Sequence, residues 1–334
     1  MLFNLDNFSA NILAPIIIIL GQFGNLFGLI VISRKKLKKI GPQITYIAMF
    51  IFDWISFILI FQPYLFYSFN IDITLFSFLA CKLYWYFTYA FATISPMLNV
   101  YISIERFISL AYPTRKYILL KDKFQLAYII ALTLFNLGVY MPIGIYFDLV
   151  DESNQTVCNF VDHFWLVTYG YFDLINRVII PSLLMIIFSL LIIRTIFKSR
   201  NRVSNNGHVN RTFKKDVRFA LLSILLNIFY ILFSLPVSIL YLFSNYWLNP
   251  LYIFFSFLYY IAYSANFYLI FSVNSLLRQE FYSLFISSKI QQQQQQQQDV
   301  NRTNRRTNNN ITFGAREEFS LEYCRNTRVR KNGS

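Results

Sequence analysis

Charge is what this sequence has least of: 14% of its 334 residues are Asp, Glu, Lys or Arg, while 56% are hydrophobic and 19% aromatic. A soluble domain carries about 25% charged residues, and the mean hydropathy here is +0.45. A soluble chain must face water over its whole exterior, so this much apolar surface cannot be hidden in one core. A soluble enzyme and a disordered protein are excluded on that ground. Cysteine is scarce as well, with three in the chain, which excludes a disulfide scaffold. The only histidines are His163 and His208, and neither an HExxH nor a paired-aspartate motif occurs. No enzymatic activity, metal or cofactor is therefore expected. Ten glycines and no internal repeat also count against the paired broken helices of a transporter or channel.

What the sequence does have is a series of long runs with almost no charge. Crossing about 30 Å of hydrocarbon takes roughly 20 helical residues. Residues 11–33, 83–104 and 124–147 are uncharged, 45–68 contain only Asp53, and 164–193 contain only Asp173 and Arg177. The uncharged stretch 219–277 is too long for one span, and Asn245–Pro250 divides it. The expectation is an all-α membrane protein, a seven-transmembrane helix bundle over residues 11–274 behind a short segment, 1–10.

Loop charge orients the bundle, because short cytoplasmic loops collect Lys and Arg. The loops after spans one, three and five hold eighteen basic residues, Arg106 of the Glu105-Arg106 pair included, against Asp122 and Asp216 beyond that pair. The alternate loops hold Lys82 against Asp72, Asp148, Asp151, Glu152 and Asp162. The N-terminus is thus expected outside a plasma membrane, with no cleavable signal peptide, since no basic n-region precedes the first apolar run. The sequons at Asn7 and Asn154 then face outward as glycosylation sites. The tail, 287–334, opens near the eight glutamines Gln291–Gln298 and carries +5 of the net +14. Its composition reads as disordered and drawn to anionic lipid, with no nucleic-acid role.

Polar residues inside hydrocarbon each need a partner or a purpose. Asp53 is either a structural acid or part of a polar centre shared with Asn25, Ser95, Asn99 and Asn266. Glu105-Arg106-Phe107 closes the third span, 25 residues after Cys81, about 37 Å of helix and so one full crossing. Cys81 and Cys158 are the two cysteines expected outside, where disulfides form, and a bridge between them is favoured. In the fifth span Asp173 and Arg177 share a face at i,i+4. They neutralise each other, or Arg177 receives a ligand carboxylate, and the two readings are compatible.

Taken in order, Gly24-Asn25, Asp53, Cys81 with its loop partner, and Glu105-Arg106-Phe107 resemble the rhodopsin-like (class A) G-protein-coupled receptors. Pro142, Pro181 and Pro236 stand where that family kinks helices four, five and six, and Asn266-Phe267-Tyr268-Leu269-Ile270 stands where it has Asn-Pro-x-x-Tyr. Leu277-Arg278-Gln279-Glu280-Phe281 resembles the start of its short amphipathic helix 8, expected at 275–286. The likeness covers residues 11–286. It implies an extracellular ligand, a heterotrimeric G protein as cytoplasmic partner, and a switch made by Glu105, Arg106 and Phe107 with Asp216 at the inner end of helix six.

This chain also departs from the family. Ser234 stands in place of the helix-six tryptophan, Ser189 in place of a helix-five tyrosine, and Ile270 in place of the closing tyrosine of helix seven. These losses count against the sodium ion that the family holds at the position of Asp53. Thr88 occupies the place of the amine-binding aspartate and Tyr260 that of the retinal lysine, so both ligand classes are disfavoured. The candidate pocket is Thr88, Tyr89, Asp173, Arg177, Tyr241, Tyr259 and Tyr260. The helix-eight start and the Asn-Phe variant are similar to invertebrate neuropeptide receptors of the FMRFamide-like group, which makes a neuropeptide the leading ligand. A chemosensory receptor for small molecules in the same superfamily is the alternative, and a membrane transporter a more distant one.

Overall fold

A computed structural model describes residues 8–34, 37, 42–112, 121–152, 155–204, 211–243 and 250–285. Asn7 and Asn154 lie outside these, as do the side chains of Asp216 and Tyr241, whose backbones are helical. Lipid offers no hydrogen-bond partner, so a spanning segment must satisfy its own backbone, which a helix does. Among the described residues, seven helices are long and apolar enough to cross a membrane. They are α1 (Ser9–Ile32), α2 (Gln43–Phe69), α3 (Phe78–Ala111), α4 (Asp122–Tyr146), α5 (His163–Ser204), α6 (Arg211–Phe243) and α7 (Pro250–Val273), followed by the short α8, Ser275–Phe285. The chain divides into two compact units, Met1–Arg278 and Gln279–Ser334. The bundle is the first; of the second, only the residues of α8 up to Phe285 are described.

One element was not legible as a strand pair. The segment between α4 and α5 is an antiparallel hairpin, β1 (Phe147–Glu152) and β2 (Gln155–Phe160), with Leu149 opposite Cys158. Cys158 is bonded to Cys81, Cα to Cα 5.7 Å, which ties β2 to the first turns of α3. Trp85 of α3 stacks on Phe147 at 5.6 Å, so the hairpin rests on a small aromatic core as well as on the disulfide.

Short polar side chains end and start the helices where the sequence breaks. Asp72 Oδ1 accepts from Gln62 Nε2, the Thr74 N–H and the Thr74 hydroxyl at 2.8, 2.9 and 2.6 Å, closing the turn between α2 and α3. Ser77 caps α3 by accepting from Ala80 N–H at 3.0 Å, and Asp162 caps α5 by accepting from Phe164 N–H at 3.0 Å. At the far end of α7, Asn274 Oδ1 accepts the N–H groups of Leu276 and Leu277, and Arg278 donates to the last carbonyls, Phe271 and Ser272.

Proline explains part of the chain's tyrosine content. A helical proline has no N–H to return to the carbonyl four residues back, and a bare carbonyl is costly in lipid. Pro63 frees Leu59, Pro96 frees Ala92 and Pro181 frees Arg177. Each carbonyl accepts instead from a tyrosine hydroxyl on another helix: Tyr84 of α3 to Leu59 at 2.9 Å, Tyr263 of α7 to Ala92 at 2.9 Å, and Tyr230 of α6 to Arg177 at 2.5 Å. These three prolines are therefore also places where helices are tied together.

On α1 the glycines make the close contacts. A Cβ on Gly21 would stand 2.2 Å from the Phe57 ring of α2, and one on Gly28 would stand 2.8 Å from Phe50. Gly24 lies against Tyr268 of α7, whose hydroxyl donates to the Leu20 carbonyl at 2.9 Å. Small residues let helices approach where no hydrophobic effect drives them together. Phe57 is fully buried and has nowhere to retreat. Gly21→Ala is expected to destabilise by about 1–3 kcal/mol, the usual cost of overpacking. A lowered thermal midpoint of the purified protein checks this, with Gly138→Ala, whose Cβ meets nothing within 4 Å, as the neutral control.

Candidate functional site

Two polar clusters lie at opposite ends of the bundle, and two more lie between them. At the hairpin end, α5 opens into a wide turn over Leu174–Ile179, just before Pro181. Such π segments recur at functional sites, because the extra residue re-aims the side chains around it. The i,i+4 pair closes there: Arg177 Nη2 stands 2.5 Å from Asp173 Oδ2. Asp173 Oδ1 also accepts from the Tyr140 hydroxyl of α4 at 3.0 Å, and that oxygen accepts from Asn176 at 3.3 Å and lies 3.1 Å from Thr93. The guanidinium lies 5.8 Å from the Tyr89 ring of α3 and 5.6 Å from the Tyr259 ring of α7. The hydroxyls of Tyr259 and Tyr263 bond each other. From the expected pocket, then, Tyr89, Asp173, Arg177 and Tyr259 come together. Tyr260 adjoins this group through the Tyr259 and Tyr263 rings, at 5.5 and 6.1 Å, and also meets Phe57 of α2, whereas Thr88 spends its hydroxyl on its own helix, bonding Tyr84 O at 2.7 Å.

At the other end of α3, Arg106 is 4% exposed and Glu105 1%. Their Nε–Oε2 distance is 3.2 Å, and Ser109 donates to the other carboxylate oxygen at 2.6 Å. The guanidinium also lies beside Tyr46 of α2 and 4.9 Å from the Phe219 ring of α6. Phe107 faces away toward Phe188 of α5 at 6.1 Å. Three helices thus meet on one buried arginine.

Between the ends, Asn266 donates to Asp53 Oδ2 at 2.6 Å, with Ser95 beside the same carboxyl. Asn25 reaches the Tyr263 carbonyl at 3.5 Å, and Asn99 is buried with its Oδ1 unpartnered among the described residues. No group of three or more His, Cys, Asp or Glu that could hold a metal ion occurs among the described residues.

A further cluster joins α3, α5 and α6 one turn from Arg106. Asn227 Nδ2 donates to Ser103 at 3.0 Å and to Ser189 at 2.9 Å, and Ser103 is bonded to Ser223 at 2.9 Å. Ser189 stands where a tyrosine was expected, and an amide from α6 fills its place. Asn227, Tyr140, Tyr230 and Tyr263 were all missed in the sequence. The available signal was the cost of a polar group in hydrocarbon, which applies to Asn227 as much as to Asp53.

No curated protein matches the chain. The family model for the 7 transmembrane receptor (rhodopsin family) matches residues 24–277, which takes in the end of α1, all of α2 to α7 and the hairpin. With seven apolar helices, a bridge from the start of α3 to the hairpin and a buried Glu-Arg pair at the end of α3, this chain belongs to the rhodopsin family of seven-transmembrane receptors, a family of receptors rather than enzymes.

Proposed function

We propose that this receptor sits in the plasma membrane with its hairpin end outside and activates a heterotrimeric G protein from the Arg106 end when an extracellular neuropeptide binds. The observation that carries the coupling half is the burial of Arg106 against Glu105, Tyr46 and the Phe219 ring. A guanidinium held by three helices is released only if one of them moves, so the pair distinguishes two packings of the bundle. Asp216 belongs to the same switch: it precedes Phe219 by three residues, hence shares its helix face. The charge asymmetry of the loops supports the orientation, and with it glycans at Asn7 and Asn154 and a basic tail, 287–334, lying against anionic lipid. The peptide half rests on the helix-eight and Asn-Phe likeness to the FMRFamide-like group.

The test is G-protein activation in cells challenged with a neuropeptide library, with Arg106→Ala as control. A peptide response lost in Arg106→Ala is the expected result, and Asp216→Ala is expected to raise ligand-independent signalling. A response to small odorant-like molecules alone favours the chemosensory alternative, and unchanged basal activity in Asp216→Ala removes that residue from the switch.

A further inference from the structure

We infer that Arg177 is the receiving group for a ligand carboxylate, at a site where the ligand's acid takes over from Asp173. The inference names the ligand chemistry of the receptor reading above and rests on it for the side of entry. Orientation is the first support. The guanidinium reaches from α5 to the rings of Tyr89 on α3 and Tyr259 on α7. It therefore points toward α3 and α7 within the bundle, and 26% of its side chain stays exposed.

Unused donor capacity is the second support. A guanidinium carries five N–H donors in a fixed fork. Asp173 engages Nη2, while the buried Nε has no hydrogen-bond partner among the described residues. Turning the guanidinium away from Asp173 would present this unused donor, with Nη2, to a second carboxylate.

The third support decides the sign of the ligand. Asp173 is 5% exposed and has its own donor in Tyr140, which Asn176 and Thr93 hold in place. If the guanidinium swings to a ligand, the acid left behind still has a hydrogen bond. A cationic ligand meets the opposite situation: its natural partner, Asp173, is the less accessible of the two and is already bonded twice. The site accordingly selects anions. Carboxylate matches the fork bidentately, whereas the second negative charge of a phosphate would be opposed by Asp173. The tyrosine rings on either side favour an aromatic or apolar group next to the acid.

A ligand carboxylate has two sources, a free C-terminus or an acidic side chain, and three probes separate them. They are N-acetylphenylalanine, its carboxamide, and N-acetyl-aspartyl-phenylalaninamide, whose one acid is a side chain. Each is titrated against the purified full chain in detergent, with the thermal unfolding midpoint as readout. At least one acid is expected to raise the midpoint, with apparent affinity about tenfold above the carboxamide, the usual size of a charge-assisted bond. The dipeptide amide acting alone indicates a side-chain acid, and N-acetylphenylalanine acting alone indicates a C-terminus. The preference for acid should vanish in Asp173→Asn/Arg177→Gln, which removes both charges together. In Asp173→Asn alone the acid should bind more tightly than in the native chain, because its competitor is gone. Equal affinity of acids and carboxamide, or an acid preference that survives in the double variant, overturns the inference. This measurement uses no G protein. A chain that prefers acids but never activates a G protein sinks the coupling proposal alone, and one that signals to peptides without any acid preference sinks this one alone.

Discussion

Replacing Arg177 by leucine is expected to cost the folded bundle about 3–5 kcal/mol, the range for removing one member of a buried ion pair. The change strands Asp173, 5% exposed, with a single neutral donor from Tyr140. Replacing Asp173 by leucine should cost less. The arginine left behind is 26% exposed and keeps the faces of Tyr89 and Tyr259. Removing both charges together, Asp173→Asn/Arg177→Gln, should recover most of the loss, because a neutral pair has no charge to strand. Thermal midpoints of the three variants in one detergent test the ranking. Additive losses in the double variant would show that the two residues act independently of each other.

The second large effect concerns the tyrosines that satisfy proline-freed carbonyls. Tyr230→Phe removes the donor to Arg177 O and Tyr263→Phe the donor to Ala92 O, each leaving a buried acceptor at about 1–3 kcal/mol. The diagnosis has a specific rescue. Pro181→Ala returns an N–H that can bond the Arg177 carbonyl, so Tyr230→Phe should cost much less in that background; Pro96→Ala should do the same for Tyr263→Phe. A double-mutant cycle on thermal midpoints measures the coupling. Zero coupling would mean that the tyrosines stabilise the bundle by packing alone. Tyr230 has a further consequence, since it holds the backbone of the residue proposed to meet the ligand. The bond ties the backbone at Arg177 to α6, the helix whose Phe219 packs on Arg106. With Ser234 at the usual tryptophan position, its buried hydroxyl without a hydrogen-bond partner among the described residues, Tyr230 links α6 to the wide turn of α5.

Most of the architecture follows from the distribution of charge along the chain. Seven runs poor in Asp, Glu, Lys and Arg became seven helices because each must close its own hydrogen bonds in lipid, and 3.6-residue geometry is local. The Asp173–Arg177 pair was equally legible, since i,i+4 partners on a helix face each other whatever surrounds them. The hairpin was less so: β1 and β2 are six residues each, too short for alternation to stand out beside long apolar runs.

What the sequence could not determine is which faces of the helices meet. A tyrosine in an apolar run has the same local pattern whether it packs on lipid or reaches a carbonyl on another helix. Tyr140, Tyr230 and Tyr263 therefore became identifiable only once helix rotation and depth placed their hydroxyls within 3 Å or so of acceptors on α5 and α3. The same holds for Asn227, whose partners Ser103 and Ser189 lie on two other helices. Spans, their order and their local pairs are set by interactions within a few residues and can be read along one strand of text. The polar contacts that join the helices depend on the packing of the whole bundle, and only the tertiary structure decides them.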